Sequence, residues 1–226
     1  MLLRTNNFAI IFVCHDNDSI SKVIHYNHHI ILVGYKEISK EYLQYPKLII
    51  ARDLKNNIEN EQKLLSFTAW YAIIKNNLFS EYDYLCILEY DVLLHELFEN
   101  YINDTLNSSN ISNISFIIRY EHIYTYDTNI NVMNKFLELK NIDPNIVSQM
   151  NGWGNTTNQC IRRDILSDFV DWYYPSSLMI KTNDYEKFSY YHERLYMIYL
   201  KSRNLEVTYI LDKLEHLSEK SHQLYD

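Results

Sequence analysis

Glu89-Tyr90-Asp91 closes a nearly uninterrupted apolar run, Tyr84 to Leu88, and is where this sequence most clearly offers chemistry. In an extended segment residues two apart point to the same side, so Glu89 and Asp91 can converge on one centre. Paired hard oxygen ligands suit Mg²⁺ or Mn²⁺, ions that usually also take substrate phosphates. The plainer alternative is a strand end capped by two solvated acids; the apolar run in front of the pair favours the ligand reading. A second polar cluster, Cys14-His15-Asp16-Asn17, follows another apolar run, Phe8–Cys14.

Both clusters need elements to position them. Phe8–Cys14, Ile30–Val33, Leu48–Ala51 and Tyr84–Leu88 are short continuous apolar runs, as expected of strands covered on both faces. Between the last two, Glu61–Phe79 lacks Gly and Pro and is rich in Leu, Ala and aromatics, which predicts a mostly buried helix. Strand–helix alternation of this kind predicts an α/β fold with a largely parallel sheet and helices packed on it. Ligands of such sheets bind beyond the carboxyl ends of the strands, where both polar clusters fall.

The second half reads less regularly. Asn103–Asn113 is expected to be a polar loop, Ile114–Tyr120 a strand, and Arg163–Tyr173 a helix stopping at Pro175. Gly152-Trp153-Gly154 marks a turn or a close-approach loop. Glu186–Arg203 places Phe188, Tyr191, Leu195 and Ile198 at helical spacing, and Val207–Leu211 is strand-like. No repeat or inter-domain linker is visible. The expectation is one domain over residues 1–226, with about 1–120 forming one part and about 121–226 the other.

Composition removes several options. With only 3 Gly, neither GxGxxG nor GxxxxGK[ST] can be written, so any phosphate must be held without a glycine cradle. The net charge of −8 comes without a basic stripe, which argues against nucleic acid. Cys14, Cys86 and Cys160 are odd in number and widely spaced, so buried free thiols and a reducing, cytoplasmic setting are expected. The apolar run after Arg4 is too brief for a signal peptide and leads into His15-Asp16. No segment reaches the roughly 20 apolar residues of a membrane span. Sequons at Asn107, Asn110 and Asn113 are expected by chance in so Asn-rich a chain.

Phe12-Val13-Cys14-His15, Trp70 to Asn76, and Tyr82 through Asp91 together resemble GT-A-fold glycosyltransferases, small viral and bacterial members in particular. His192-Glu193-Arg194-Leu195-Tyr196 resembles a late helical signature of the same enzymes. The resemblance implies a GT-A-like, Rossmann-like sheet and transfer of a sugar from a nucleotide-diphosphate donor, a UDP-sugar for preference, to a glycan acceptor. In that family a D-x-D motif holds a divalent metal on the donor diphosphate; this chain has E-x-D. The resemblance therefore assigns Asp91 and Glu89 to Mn²⁺ or Mg²⁺, with a C-terminal His, His222 or else His216, as a further ligand. His15, Asp16, Asp53 and Tyr90 fall among the nucleotide contacts, although Arg52-Asp53 reads equally well as a surface ion pair. Inversion or retention at the anomeric carbon stays open. For an inverting reaction Glu193 is the expected base for the acceptor hydroxyl, assisted by His192. Tyr190, Tyr191 and Tyr196 are candidate sugar-binding walls, as is Trp153, which reads equally well as a core residue. As a helix-surface pair, Glu193-Arg194 would add only roughly a few tenths of a kcal/mol.

Three other classes compete. An inactive nucleotide- or glycan-binding domain of the same fold is kept open by the change from D-x-D to E-x-D. A nucleotidyltransferase would carry a Gly-rich loop and a phosphate-binding Lys after the first strand, which His15–Ser21 lacks. A haloacid-type phosphatase would need partner motifs for His15-Asp16-Asn17-Asp18 that the chain does not show.

Overall fold

Seven strands form the central sheet in the order β10-β6-β9-β4-β1-β2-β3. The structure, a computed structural model, describes residues 7–34, 36–60, 64, 66–108, 111–116, 118–119, 130–148, 150, 153–154, 158–180, 191–211 and 213–216. The strands are β1 (Phe8–Cys14), β2 (His29–Leu32), β3 (Leu48–Ile50), β4 (Tyr84–Glu89), β6 (Asn113–Ser115), β9 (Gln159–Arg162) and β10 (Val207–Tyr209). Only β9 runs against its neighbours, so the fold is α/β with a mostly parallel sheet. Two small antiparallel pairs lie outside it: β5 (Val92–Leu94) with β11 (Leu214–His216), and β7 (Ile118–Arg119) with β8 (Trp153–Gly154).

The unbroken apolar strands follow from cover on both faces. Along β1, Ala9, Ile11 and Val13 enter one core, while Ile10, Phe12 and Cys14 enter the other. Strand β4 divides in the same way: Leu85 and Ile87 go one way, Cys86 and Leu88 the other. Each fully buried Ile, Leu or Phe contributes about 1.5–3 kcal/mol, and period-two alternation lets one strand serve both layers. The first layer packs α3 (Phe67–Lys75), α5 (Ile130–Leu139), α7 (Arg163–Met179) and α8 (Tyr191–Ser202). The second packs α1 (Asn17–Val23) and α4 (Phe98–Ser108) through Ile20, Val23, Phe98, Ile102 and Leu106. Short helices α2 (Lys40–Leu43) and α6 (Asn145–Ser148) complete the set among the described residues.

Five sequence expectations need correction. The helix expected over Glu61–Phe79 is described only from Phe67 to Lys75. Asn76 ends it by donating from Nδ2 to the Ala72 carbonyl, and Asn77 and Phe79 then turn to positive φ, 54° and 56°. Much of the expected loop from Asn103 is the second half of α4, because Phe98, Ile102 and Leu106 recur every four residues and bury one stripe. The strand expected over Ile114–Tyr120 is split between β6 and β7. Helix α7 runs through Pro175 to Met179: Ser176 and Ser177 are buried beyond it, and Ser177 Oγ donates to the Tyr174 carbonyl. Helix α8 is described from Tyr191; Phe188 and Tyr190 lie outside the described residues. It is buried nearly all round rather than amphipathic.

Cys14, Cys86 and Cys160 are buried free thiols, with Cys86 and Cys160 facing each other across β4 and β9. Burial pushes the Cys14 thiol far up, so it behaves as a small apolar side chain. No helix among the described residues is long and apolar enough to cross a membrane.

Candidate functional site

The sheet order fixes where a ligand can enter. From β1 the chain moves outward to β2 and β3, then crosses back over α3 to β4 on the other side of β1. The crevice at the carboxyl ends of β1 and β4 is therefore the topological switch point of the parallel strands. His15 and Asp16 leave β1 there, and Glu89, Tyr90 and Asp91 leave β4 there, with Val13 of β1 in register with Glu89.

Glu89 is held from three directions. Its backbone N–H donates to Asn158 Oδ1 at 2.9 Å, Ser66 Oγ donates to its Oε1 at 2.7 Å, and His15 Nε2 lies 3.8 Å from its Oε2. Pairing of β4 with β9 ends at Ile87 opposite Gln159. The amide of buried Asn158 thus takes the N–H that a longer ladder would have used, and β4 is released into the turn at Tyr90-Asp91. The Glu89 side chain is 15% exposed and that of His15 32%, so their attraction is only partly screened. Burial pulls the His15 pKa down, yet the Glu89 carboxylate overcomes this and the net shift is upward.

The Tyr90 and His15 rings stand nearly perpendicular with centroids 5.8 Å apart, and Lys22 Nζ lies 5.1 Å from the centroid of the Tyr90 ring. Burial and the Asp91 carboxylate raise the Tyr90 phenol. Asp91 is half-buried, with Oδ1 fully enclosed. Glu89 is anchored by Ser66 and His15, and Asp91 follows it in the turn between β4 and β5.

The other expected residues meet mixed fates. Asp16 caps α1: Ser19 N–H donates to Oδ1 at 3.0 Å, and Lys36 Nζ donates to Oδ2 at 2.6 Å. Lys36 and the Ser19 N–H hold its carboxyl down to about 2. Asp53 lies at the carboxyl end of β3, 68% exposed, with Arg52 Nε 3.9 Å away. Glu193 is half-buried on the first turn of α8, between buried His192 and Arg194, so it is not one half of a surface pair. The His192 ring packs on Phe67 at 5.9 Å and Trp70 at 5.4 Å, which brings the start of α8 to the start of α3 beside Ser66.

Tyr191 and Tyr196 do not form a sugar-binding wall. Both are buried in the core, and Tyr196 Oη donates to Asn113 Oδ1 at 2.8 Å. Trp153 lies in β8, opposite Arg119. His222 lies outside the described residues. The backbone of His216 is placed, however: in β11 it stands opposite Val92, the residue after Asp91, so the C-terminal stretch reaches the site.

Ser66 and Asn158 were not foreseen. Neither carries a local signal, since Ser and Asn are abundant here and their partner is 23 and 69 residues away. No group of three or more His, Cys, Asp or Glu able to hold a metal occurs among the described residues. Two carboxylates still fit Mg²⁺ or Mn²⁺, which are bound through one or two carboxylates plus substrate phosphates and water.

No family model matches the chain, and no curated protein matches it. Among solved structures it is similar to core-mannan synthase A from Aspergillus fumigatus in its Mn/GDP form, at 12% identity, covering 89% of this chain and 72% of that one, with a TM-score of 0.42. It is also similar to a mannosyltransferase from S. cerevisiae in complex with GDP, at 11% identity, covering 90% of this chain and 69% of that one, with a TM-score of 0.44.

Proposed function

We propose that this chain is a metal-dependent glycosyltransferase of GT-A type, moving a sugar from a nucleotide-diphosphate donor, a UDP-sugar in the first instance, to a hydroxyl of a glycan. One observation carries the reading: the Glu89-Tyr90-Asp91 turn leaves β4 at the switch point beside β1, with the Glu89 carboxylate held by Ser66 and Asp91 two residues on. A site of that kind suits an anionic diphosphate only if a cation accompanies it.

Asp91 is the proposed direct ligand of Mn²⁺ or Mg²⁺. Glu89, tied to Ser66, acts directly or through water, and His222 or His216 on the stretch led in by β11 adds a further ligand. When bound, the ion supplies Lewis-acid stabilisation of the negative charge growing on the departing phosphate. The bond from the anomeric carbon to the phosphate oxygen breaks, and a bond from that carbon to the acceptor oxygen forms. In an inverting reaction Glu193 takes the acceptor proton, a role its half-buried place at the start of α8 suits. His15 and Tyr90 border the donor, and residues about 1–120 form the donor side while about 121–226 form the acceptor side.

A second reading, a nucleotide-binding domain of the same fold without turnover, is favoured by one fact: Ser66 and His15 already occupy the two oxygens of Glu89. Release of nucleoside diphosphate from a panel of nucleotide-sugars, with and without Mn²⁺, separates the two. Release by the wild type that is lost without Mn²⁺ and in Asp91→Ala supports the transferase. Binding without release supports the silent domain, and no binding of any nucleotide sinks both.

A further inference from the structure

Asp91 ends the acid turn, and the residues that follow it, β5, lie outside the central sheet. Among the described residues β5 has one ladder partner, the strand β11. His95 N–H donates to the Lys213 carbonyl at 3.0 Å, which continues the register of that pair by one residue. Hydrogen-bonded and non-hydrogen-bonded pairs alternate along an antiparallel ladder, so Leu94 and Leu214 form a non-hydrogen-bonded pair. The Leu94 N–H therefore points away from β11, toward the opposite edge of β5. There Tyr26 Oη accepts it at 3.2 Å.

Tyr26 is the last residue of the 3₁₀ turn Ile24–Tyr26 that follows α1. Its ring stacks on Phe12 of β1, with centroids 5.5 Å apart and planes 18° from parallel. Phe12 is fully buried in a close-packed core, so the phenol oxygen is carried on a rigid support. The same stretch of chain also touches the other side of Asp91, since Lys22 of α1 places Nζ 5.1 Å from the centroid of the Tyr90 ring. Residues 22 and 26 thus bracket Asp91 between a contact to Tyr90 and a contact to Leu94. The two contacts differ in weight. Lys22 is exposed and paired with Asp18 at 2.8 Å, whereas Tyr26 satisfies a backbone donor three residues beyond the carboxylate.

Resting on the metal-and-nucleotide reading of the acid turn, we infer that Tyr26 is a positioning residue: by tying the Leu94 N–H to β1 it sets where Asp91 stands before the ion arrives. It acts through the backbone of Val92 to Leu94 and not by contact with the ion. Groups that orient a ligand in this way raise metal affinity without touching the metal.

The test compares Tyr26→Phe with Tyr45→Phe. Phenylalanine at position 26 keeps a ring on Phe12 and deletes the oxygen. Tyr45 packs against the same core, but its Oη donates to the His28 carbonyl at 2.8 Å, so Tyr45→Phe is a control that also loses one phenol hydrogen bond. In the metal-free protein the amide NMR signals of Asp91 and Val92 are expected to shift in Tyr26→Phe and to stay in place in Tyr45→Phe. In Mn²⁺ titrations followed by electron paramagnetic resonance with UDP or GDP present, Tyr26→Phe is expected to bind the ion about 3- to 10-fold more weakly than the wild type, the range of one net hydrogen bond. Tyr45→Phe is expected to bind it as the wild type does, and melting curves check that both variants are folded. Wild-type Mn²⁺ affinity in a folded Tyr26→Phe, or an equal loss in Tyr45→Phe, overturns this inference alone. Absence of Mn²⁺ uptake by the wild type with either nucleotide overturns the function beneath it.

Discussion

Truncating Asn158 to alanine removes the acceptor of the Glu89 N–H, and the consequence can be worked from the structure. The amide is buried, at 1% exposure, and lies 2.9 Å from a backbone donor at the point where β4 leaves the sheet. Orphaning a buried N–H costs about 1–3 kcal/mol. In a chain of this size about 2 kcal/mol corresponds to a melting temperature lower by about 4–8 °C. The second effect is on geometry, since the turn that carries the Glu89 and Asp91 carboxylates loses the tie that sets where the strand ends. Asn158→Ala is therefore expected to lower both stability and metal-dependent nucleotide release. Asn158→Asp keeps an oxygen for the N–H but places a charge near Glu89, so it should hold the fold better than alanine while still weakening release. Thermal melts and urea titrations of the three proteins, paired with a release assay on each, separate the two effects. A melting temperature for Asn158→Ala within a degree of wild type would refute the reasoning, because it would mean that the N–H loses nothing when its partner is removed.

Three further outcomes follow. Asp16→Ala removes the N-cap of α1 and is expected to cost about 1 kcal/mol in urea unfolding at neutral pH. Because Asp16 titrates near 2 in the fold, below its ordinary value, its contribution is complete above about pH 4 and fades as pH falls toward 2; the gap between wild type and Asp16→Asn should close over that window. Tyr196→Phe leaves Asn113 Oδ1 without its buried donor and should cost about 1–2 kcal/mol of stability with no effect on acceptor KM; a change in KM alone would restore the sugar-binding wall. Phe136→Ala empties the ring stacked on Tyr173 at 5.5 Å and should cost about 3–5 kcal/mol by denaturant titration.

Much of the parallel half of the fold was legible because its signal is local. A strand covered on both faces must be apolar throughout, and Phe8–Cys14 and Tyr84–Leu88 announce this in their own residues. Their carboxyl ends, and so the approximate place of the site, follow from chain order alone. The antiparallel β9 was not legible: Gln159-Cys160-Ile161-Arg162 is short, and its place depends on pairing with β4, 72–78 residues earlier, and with β6, 44–48 residues earlier. Helix α4 was missed because its Asn and Ser residues face outward and hide the stripe of Phe98, Ile102 and Leu106. Within the site, Asp91 and Glu89 could be read from a motif, whereas Ser66 and Asn158 acquire meaning only when distant backbone N–H and carboxylate groups arrive beside them. Pro175 misled for the opposite reason, since a strong local stop signal yielded to burial of the residues beyond it.

Uptake of Mn²⁺ in the presence of a nucleoside diphosphate, followed by electron paramagnetic resonance of the free ion, tests the central claim most directly. The wild-type chain is expected to remove Mn²⁺ from solution when the nucleotide that its donor panel identifies is present, and Asp91→Asn is expected to leave the free-ion signal nearly unchanged. Equal uptake by Asp91→Asn, or nucleotide binding of the same strength with and without Mn²⁺, would contradict the account.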